Sequence, residues 1–242
     1  MKFILASDIH ANLPALEAFF HYLEKENLSS LPVYFLGDYV NLGPYPEETV
    51  ELLRKFDGKI YLCGNHDRYM NSEYALEHNP YFSSTDGVRH SHWTRTQLSP
   101  ESLKWLEALP ARHQFDAGGW HIDMVHGRHN SDEETLRAAD LETDKNIIYI
   151  CGHTHFTRNE TAGKARILNP GSLGKPLDSD SRASFGIVTI EENSPENPGP
   201  VTFDIIRIPY DIDRTVAALE QRNVPWRNGM MTSLRTAVYT DD

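Results

Sequence analysis

At 242 residues the chain can form one large α/β domain or two small ones, with interior enough for a sizeable core. Its formal net charge of −12 sets the bulk surface against nucleic acid and anionic membranes. Two cysteines, Cys63 and Cys151, exclude a disulfide framework or a thiolate metal motif, and no apolar stretch approaches the ~20 residues of a membrane span.

Residues 2–7, KFILAS, form a short apolar run expected as a buried strand. The MKFILASD start is too short for the apolar core of a secretion signal, so the protein is expected in the cytoplasm. From 12 to 26, Leu13, Leu16, Phe19, Phe20 and Leu23 fall at helical spacing, with Pro14 near the first turn. PVYFL, 32–36, predicts a second strand that stops at Gly37-Asp38. Over 46–56, acids in the first turn and bases in the last suit a helix dipole. A third strand is expected over 59–63. Strands and helices alternating in this order predict parallel strands with helical crossovers.

Between 68 and 110 the pattern changes. Helical segments over 68–76, 81–96 and 100–109, the last capped by Ser99, occur without clear strands. They predict a small helical insertion within a single domain spanning 1–242, with Trp93 and Trp105 in the insertion's core. Strand signals resume over 111–116, 119–125, 147–151, 157–161, 164–168, 184–190 and 201–208. A hairpin turn is expected at Thr161-Ala162-Gly163-Lys164, and EENSPENPGP, 191–200, has the polarity of a long hairpin loop. Residues 211–222 predict a late helix capped by Asp211, and the tail from Trp226 carries little pattern.

Chemistry collects where the strands end. The first run ends in Ser7-Asp8-Ile9-His10, the second in Gly37-Asp38, and the third in Gly64-Asn65-His66-Asp67. Later, Met124-Val125 leads into His126-Gly127, and Tyr149-Ile150-Cys151 leads into Gly152-His153-Thr154-His155. The carboxyl edge of an α/β sheet is where ligands bind. Any one of these pieces is ordinary turn or cap chemistry; the set is not. His153 and His155, two apart on extended backbone, leave on one face. Carboxylate, amide and imidazole donors without thiolates suit intermediate divalent ions, and the number of such positions exceeds what one ion needs.

In this order the motifs resemble those of the calcineurin-like metallophosphoesterases. Asp8-Ile9-His10-Ala11-Asn12-Leu13, Asn169-Pro170-Gly171-Ser172 and the short length are similar to the compact bacterial and archaeal branch, which includes small phosphodiesterases. The motifs span residues 8 to about 172; the segment 68–110 and the region after 190 carry little of the resemblance. The resemblance implies an α/β fold, a β-sandwich of two mixed sheets flanked by helices in four αββα layers. It implies that Asp8, His10 and His155 hold a first metal, that Asn65, His126 and His153 hold a second, and that Asp38 bridges both. It sets His66 beside the leaving group as proton donor. Asp67 then either orients His66 or caps the helix expected from Arg68. Asn12 contacts phosphate or caps a helix. Arg128, where family members often carry a small residue, grips phosphate or lies in solvent.

The implied reaction is hydrolysis of a small phosphate ester by direct attack of a hydroxide shared by two divalent ions. A diester is favoured over a monoester because an acid such as His66 helps most with a poor alkoxide leaving group. Manganese is the first choice of metal; Fe, Zn, Ni, Co and Mg suit the same donors. Two divalent ions against Asp8 and Asp38 leave a shell of about +2, which favours a small phosphoester over a long nucleic acid. A phosphomonoesterase or protein phosphatase of the same family is the nearest alternative. A non-catalytic metal-binding interaction scaffold is the alternative from another class, and it predicts an eroded site. Tyr39, Tyr45, His90 and His92 either line the pocket or pack. His21, His78, His113, His121 and His129 receive no role.

Overall fold

A computed structural model describes residues 1–71 and 85–240. β1 (Lys2–Ala6), β2 (Val33–Phe35) and β3 (Ile60–Tyr61) pair in parallel, with α1 (Leu13–Lys25) and α2 (Pro46–Lys55) as crossovers. Among the described residues α3 (Asn65–Tyr69), α4 (Thr85–Gln97) and α5 (Pro100–Glu107) follow. β4 (Arg112–Ala117), β5 (Trp120–Val125), β6 (Ile147–Ile150), β7 (Thr157–Ala162) and β8 (Ala165–Pro170) make a second sheet in the order β4-β5-β6-β8-β7. β9 (Ala183–Ile190) and β10 (Val201–Ile208) return as a hairpin to the first sheet, completing the order β10-β9-β1-β2-β3. α6 (Ile212–Gln221) and α7 (Arg227–Thr236) close the chain. Both sheets are mixed, as expected.

Strand alternation sorts the cores. Phe3 and Leu5 of β1 face the other sheet and pack with Tyr34, Ile122, Met124, Ile148 and Ile150. Ile4 and Ala6, on the opposite face, pack under α1, α2 and α6 through Leu16, Phe19, Val50, Leu53, Val216 and Leu219. A smaller cluster on the far face of the second sheet, including Val125, Tyr149 and Ile167, is covered by Leu136 and Leu141. Among the described residues no helix is long and apolar enough to cross a membrane.

Four local expectations change. The third strand is two residues long, because the Cys63 N–H leaves the ladder and donates to the Pro110 carbonyl. The helix expected from Arg68 starts at Asn65, because Asp67 at its third position accepts from the Gly64 N–H at 2.9 Å. The helices expected over 68–76 and 81–96 fall partly on 72–84, outside the described residues, as does His78. The rest of that stretch shows no core of its own: Leu98 and Leu106, with Trp93 and Trp105, pack into the main helical-side core. The tail expected without pattern forms α7, which buries Met230 and Leu234. Its start has no side-chain cap, and Trp226 before it is left-handed at φ 59°.

Candidate metal centre

The loops that leave β1, β2, β3, β5 and β6 meet at one edge of the sandwich, and backbone hydrogen bonds knit them. Asp8 N–H donates to the Gly37 carbonyl at 3.0 Å and His10 N–H to that of Asp38 at 2.9 Å. Gly152 N–H donates to the His126 carbonyl at 2.8 Å and Gly174 N–H to that of Asp8 at 3.0 Å. The loops turn sharply enough that Asp8, His10, Asp38, His153 and His155 are all left-handed, with φ from 49° to 67°. Each such residue stores strain of order 1 kcal/mol or more, and it persists because the surrounding bonds over-determine it. Gly64 is required by closeness: a Cβ there would collide with the Asp38 carboxylate.

Three groups of side chains bring potential ligand atoms within 4.8 Å of one another: Asp8, His10 and His155; His10, Asp38 and His66; and Asp38, His126 and His153. In the first group His155 Nδ1–H donates to the Lys175 carbonyl at 2.6 Å, so its Nε2 presents a lone pair. That Nε2 lies 3.3 Å from Asp8 Oδ1 and 2.9 Å from His10 Nε2. Asp8 Oδ1 is buried without a hydrogen-bond partner among the described residues. In the third group His126 Nδ1–H donates to the Leu36 carbonyl at 2.8 Å, again leaving Nε2 bare. It faces Asp38 Oδ2 at 3.2 Å and Asn65 Oδ1 at 3.1 Å, and His153 Nδ1 meets the same Asn65 oxygen at 3.1 Å. Asp38 stands between the groups, with Oδ2 also 3.8 Å from His10 Nε2.

Acceptors pointing at acceptors is unfavourable unless something positive lies between them. The titration behaviour carries the same mark. Burial opposes charge on His126, yet the Asp38 carboxylate beside it pushes it up to about 10. Burial would raise the Asp38 carboxyl, but His126, His66 and His10 hold it well below the usual range. The carboxylate, amide and imidazole donors therefore fit divalent cations at both points.

His66 sits on α3 beside these groups, its ring 4.9 Å from that of His10. Asn41 Nδ2 donates to His66 Nδ1 at 3.0 Å, while the Thr94 hydroxyl donates to Asn41 Oδ1 at 3.1 Å. The His66 proton therefore rests on Nε2. Burial pushes this imidazole down to about 4.

For three residues that allowed two readings, the structure shows contacts of one kind. Asp67 does not orient His66: its oxygens accept the backbone N–H groups of Asp38 at 2.7 Å, Gly64 at 2.9 Å and Tyr39 at 2.8 Å. It anchors α3 to the Asp38 loop, which is the helix-end alternative. Asn12 caps α1 and spends its side chain on Ala15 N–H, the Gly174 carbonyl, Tyr210 and Thr215. Arg128 pairs with Glu134 and Asp140 and lines a separate hollow with Cys63 and His129. Tyr39 is packed, its hydroxyl donating to the Leu62 carbonyl at 2.7 Å. His90 ties Leu42 N–H, which it accepts at 2.6 Å, to the Pro225 carbonyl at 2.8 Å.

A cleft of about 230 Å³ opens over the centre, lined by Asp38, Asn65, His66, His153 and His155. Its other wall is Leu42, Lys175, Leu177, Trp226 and Tyr239. The sequence offered no signal for this wall except that Lys175 follows the Asn169-Pro170-Gly171-Ser172 motif. That motif is structural: Asn169 Nδ2 donates to the Gly152 carbonyl at 2.7 Å, and the Ser172 hydroxyl donates to the Asp8 carbonyl at 2.7 Å.

A two-sheet sandwich with this donor set at one edge is the arrangement of a metal-dependent phosphoesterase. A family model, the calcineurin-like phosphoesterase superfamily domain, matches residues 1–193. The chain belongs to this family of metal-dependent hydrolases of phosphoric esters. It is 30% identical to a metallophosphoesterase of Sphaerobacter thermophilus, whose crystal structure matches with a TM-score of 0.71 over 98% of this chain and 99% of that one. It is 27% identical over 239 residues to an uncharacterized protein of Methanocaldococcus jannaschii, covering 90% of this chain and 92% of that protein. It is 26% identical over 197 residues to phosphodiesterase YfcE of Escherichia coli, covering 78% of this chain and 87% of YfcE. The resemblance seen in the motifs is borne out for family and fold.

Proposed function

We propose that the protein is a phosphodiesterase that uses two divalent cations, manganese first, on a small phosphate ester. The observation that supports it best is the pair of acceptor clusters sharing Asp38, whose oxygen lies 3.2 Å from His126 Nε2 and 3.8 Å from His10 Nε2. Asp8, His10 and His155 would hold one cation, Asn65, His126 and His153 the other, with Asp38 shared. When bound, such a pair neutralises phosphoryl oxygens and acidifies a water to act as nucleophile. Asn65 supplies an oxygen without cancelling cationic charge.

His66 acts on the leaving oxygen. Its proton sits at Nε2 because Asn41 faces Nδ1 as a donor. Complete transfer from a neutral ring would leave an imidazolate, so the ring works as a hydrogen-bond donor to the developing negative charge, not as the proton source first expected. Such a donor matters most for a poor alkoxide leaving group, which favours diesters. The small cleft and the charge of −12 favour a small substrate over a long nucleic acid. We treat the chain as one domain, since α4 and α5 share the main core. Both cysteines are free, which suits the reducing cytoplasm.

The test is turnover of bis-p-nitrophenyl phosphate against p-nitrophenyl phosphate by Mn²⁺-loaded protein. Faster diester hydrolysis, lost in Asp38→Asn, is expected. No turnover of either substrate with any divalent ion overturns the reading.

A further inference from the structure

Asn65 can serve a cation in only one of its two amide orientations. With Oδ1 toward His126 and His153 it offers a lone pair. Turned over, it would offer an NH₂ group, and that group would find two good acceptors. His126 Nε2 is bare because Nδ1–H is committed to Leu36, and His153 Nδ1 stands 3.1 Å from the same amide atom. With both imidazoles neutral, the state in which they can take a cation, the turned amide would bond to both and close the site against metal.

The other end of the amide decides the matter. Asn65 Nδ2 donates to the Tyr69 hydroxyl at 3.2 Å. Tyr69 lies one helical turn along α3 and is buried, 1% exposed. Its own proton goes to Glu133 Oε1 at 2.7 Å. Glu133 also receives Arg68 Nη2 at 2.7 Å, and Arg68 grips Asp132 through two nitrogens at 2.7 and 2.8 Å. A carboxylate held by a guanidinium accepts and does not donate. The tyrosine proton is therefore directed to Glu133, the tyrosine oxygen faces Asn65 as an acceptor, and it matches the NH₂ end of that amide and not its oxygen end.

We propose that Tyr69 is a positioning residue: through Glu133 and Arg68 it holds the Asn65 amide oxygen toward the His126–His153 cation site. The proposal rests on the assignment of Asn65 to that cation. It couples α3 to the loop after β5, so two of the segments that supply the site are also tied behind it. Removing an outer partner of a metal ligand costs about 10- to 100-fold in metal affinity.

The experiment is calorimetric titration with Mn²⁺ of metal-free wild type, Tyr69→Phe, Asn65→Asp and the double variant Asn65→Asp/Tyr69→Phe. A carboxylate has an oxygen at both ends, so orientation ceases to matter in the Asn65→Asp background. Wild type is expected to bind two ions. Tyr69→Phe is expected to weaken one of them by about 10- to 100-fold and leave the other unchanged. The same substitution is expected to be without effect in the Asn65→Asp background. Two ions bound normally by Tyr69→Phe would overturn the proposal, as would equal losses in both backgrounds, which would mark Tyr69 as structural only. A wild type that binds a single ion would overturn the two-cation reading and the proposal with it.

Discussion

Asn65 and His66 are neighbours in sequence with opposite tasks, and α3 is what separates them. Starting the helix at Asn65 points one side chain to His126 and His153 and the next to Asn41. His66→Ala is therefore expected to retain both metal ions. Its turnover is expected to fall about 10²- to 10³-fold, as when one donor to a developing anion is removed. The fall should be larger for a 2′,3′-cyclic nucleotide, which expels an alkoxide, than for bis-p-nitrophenyl phosphate; equal losses on both would remove His66 from the leaving group. Asp67→Asn sets an NH₂ group among backbone N–H donors that need acceptors. Urea unfolding is expected to show a loss of about 2–3 kcal/mol; a stable variant would mean those bonds are dispensable. The candidate ligands were legible because each follows a strand end. Asn41 was not: it reaches His66 only because it is left-handed at φ 69° and held by Thr94 from α4, fifty-three residues away.

Elements show the same division. The alternation that buries Phe3 and Leu5 on one face and Ile4 and Ala6 on the other was legible, as were the crossovers α1 and α2. α7 was not, because no cap residue or charge pattern announces it, and its worth lies in tertiary contact. It sets Trp226 at one of its ends and leads to Tyr239 beyond the other, both at the cleft. Tyr239 is 55% exposed with Lys175 Nζ 5.2 Å from its ring centre. Tyr239→Ala is expected to leave the melting temperature unchanged and to raise KM several-fold at constant metal content; an unchanged KM would take the C-terminal segment out of the substrate site. His90 makes α4 pH-sensitive. Burial, with Lys175 adding to it, holds the imidazole at about 4 instead of 6.5, and its Nε2 must stay bare to accept Leu42 N–H. Between these values the unfolded chain binds the proton and the native one does not, so stability rises with pH. His90 contributes nothing to that slope above about pH 6.5, and costs up to about 3 kcal/mol as pH falls to about 4. His90→Gln is expected to be less stable at pH 8 yet to lose less on acidification. Parallel denaturation curves at pH 8 and pH 5 would refute this.

At the scale of the molecule, a chain of net charge −12 gathers its acceptor atoms at one edge and leaves them facing one another. The sequence order of strands foretold the parallel pairing of β1, β2 and β3. It could not foretell that β9 joins β1 through pairs such as Ile187 with Ile4, because pairing across so long a separation is decided by the assembled core. The loops at that edge carry left-handed backbone at Asp8, His10, Asp38, His153 and His155, and they bury Asp8 and Asp38 among imidazoles. The fold is thus strained and crowded with acceptors at the edge where its sheets release their chains, and cations that bind only the native state would offset that cost. An ion present at about 100 times its dissociation constant adds about 2.7 kcal/mol, so two add about 5 kcal/mol. For a chain of this length that is a rise in melting temperature of about 10–20 °C. Stripping with EDTA should lower the midpoint by that amount. Mn²⁺ titrated back should restore it without saturating sharply, because the stabilisation grows with the logarithm of free ion. A melting temperature independent of EDTA and of Mn²⁺ would mean that the edge is complete without metal, and that the facing acceptors are reconciled by protons alone.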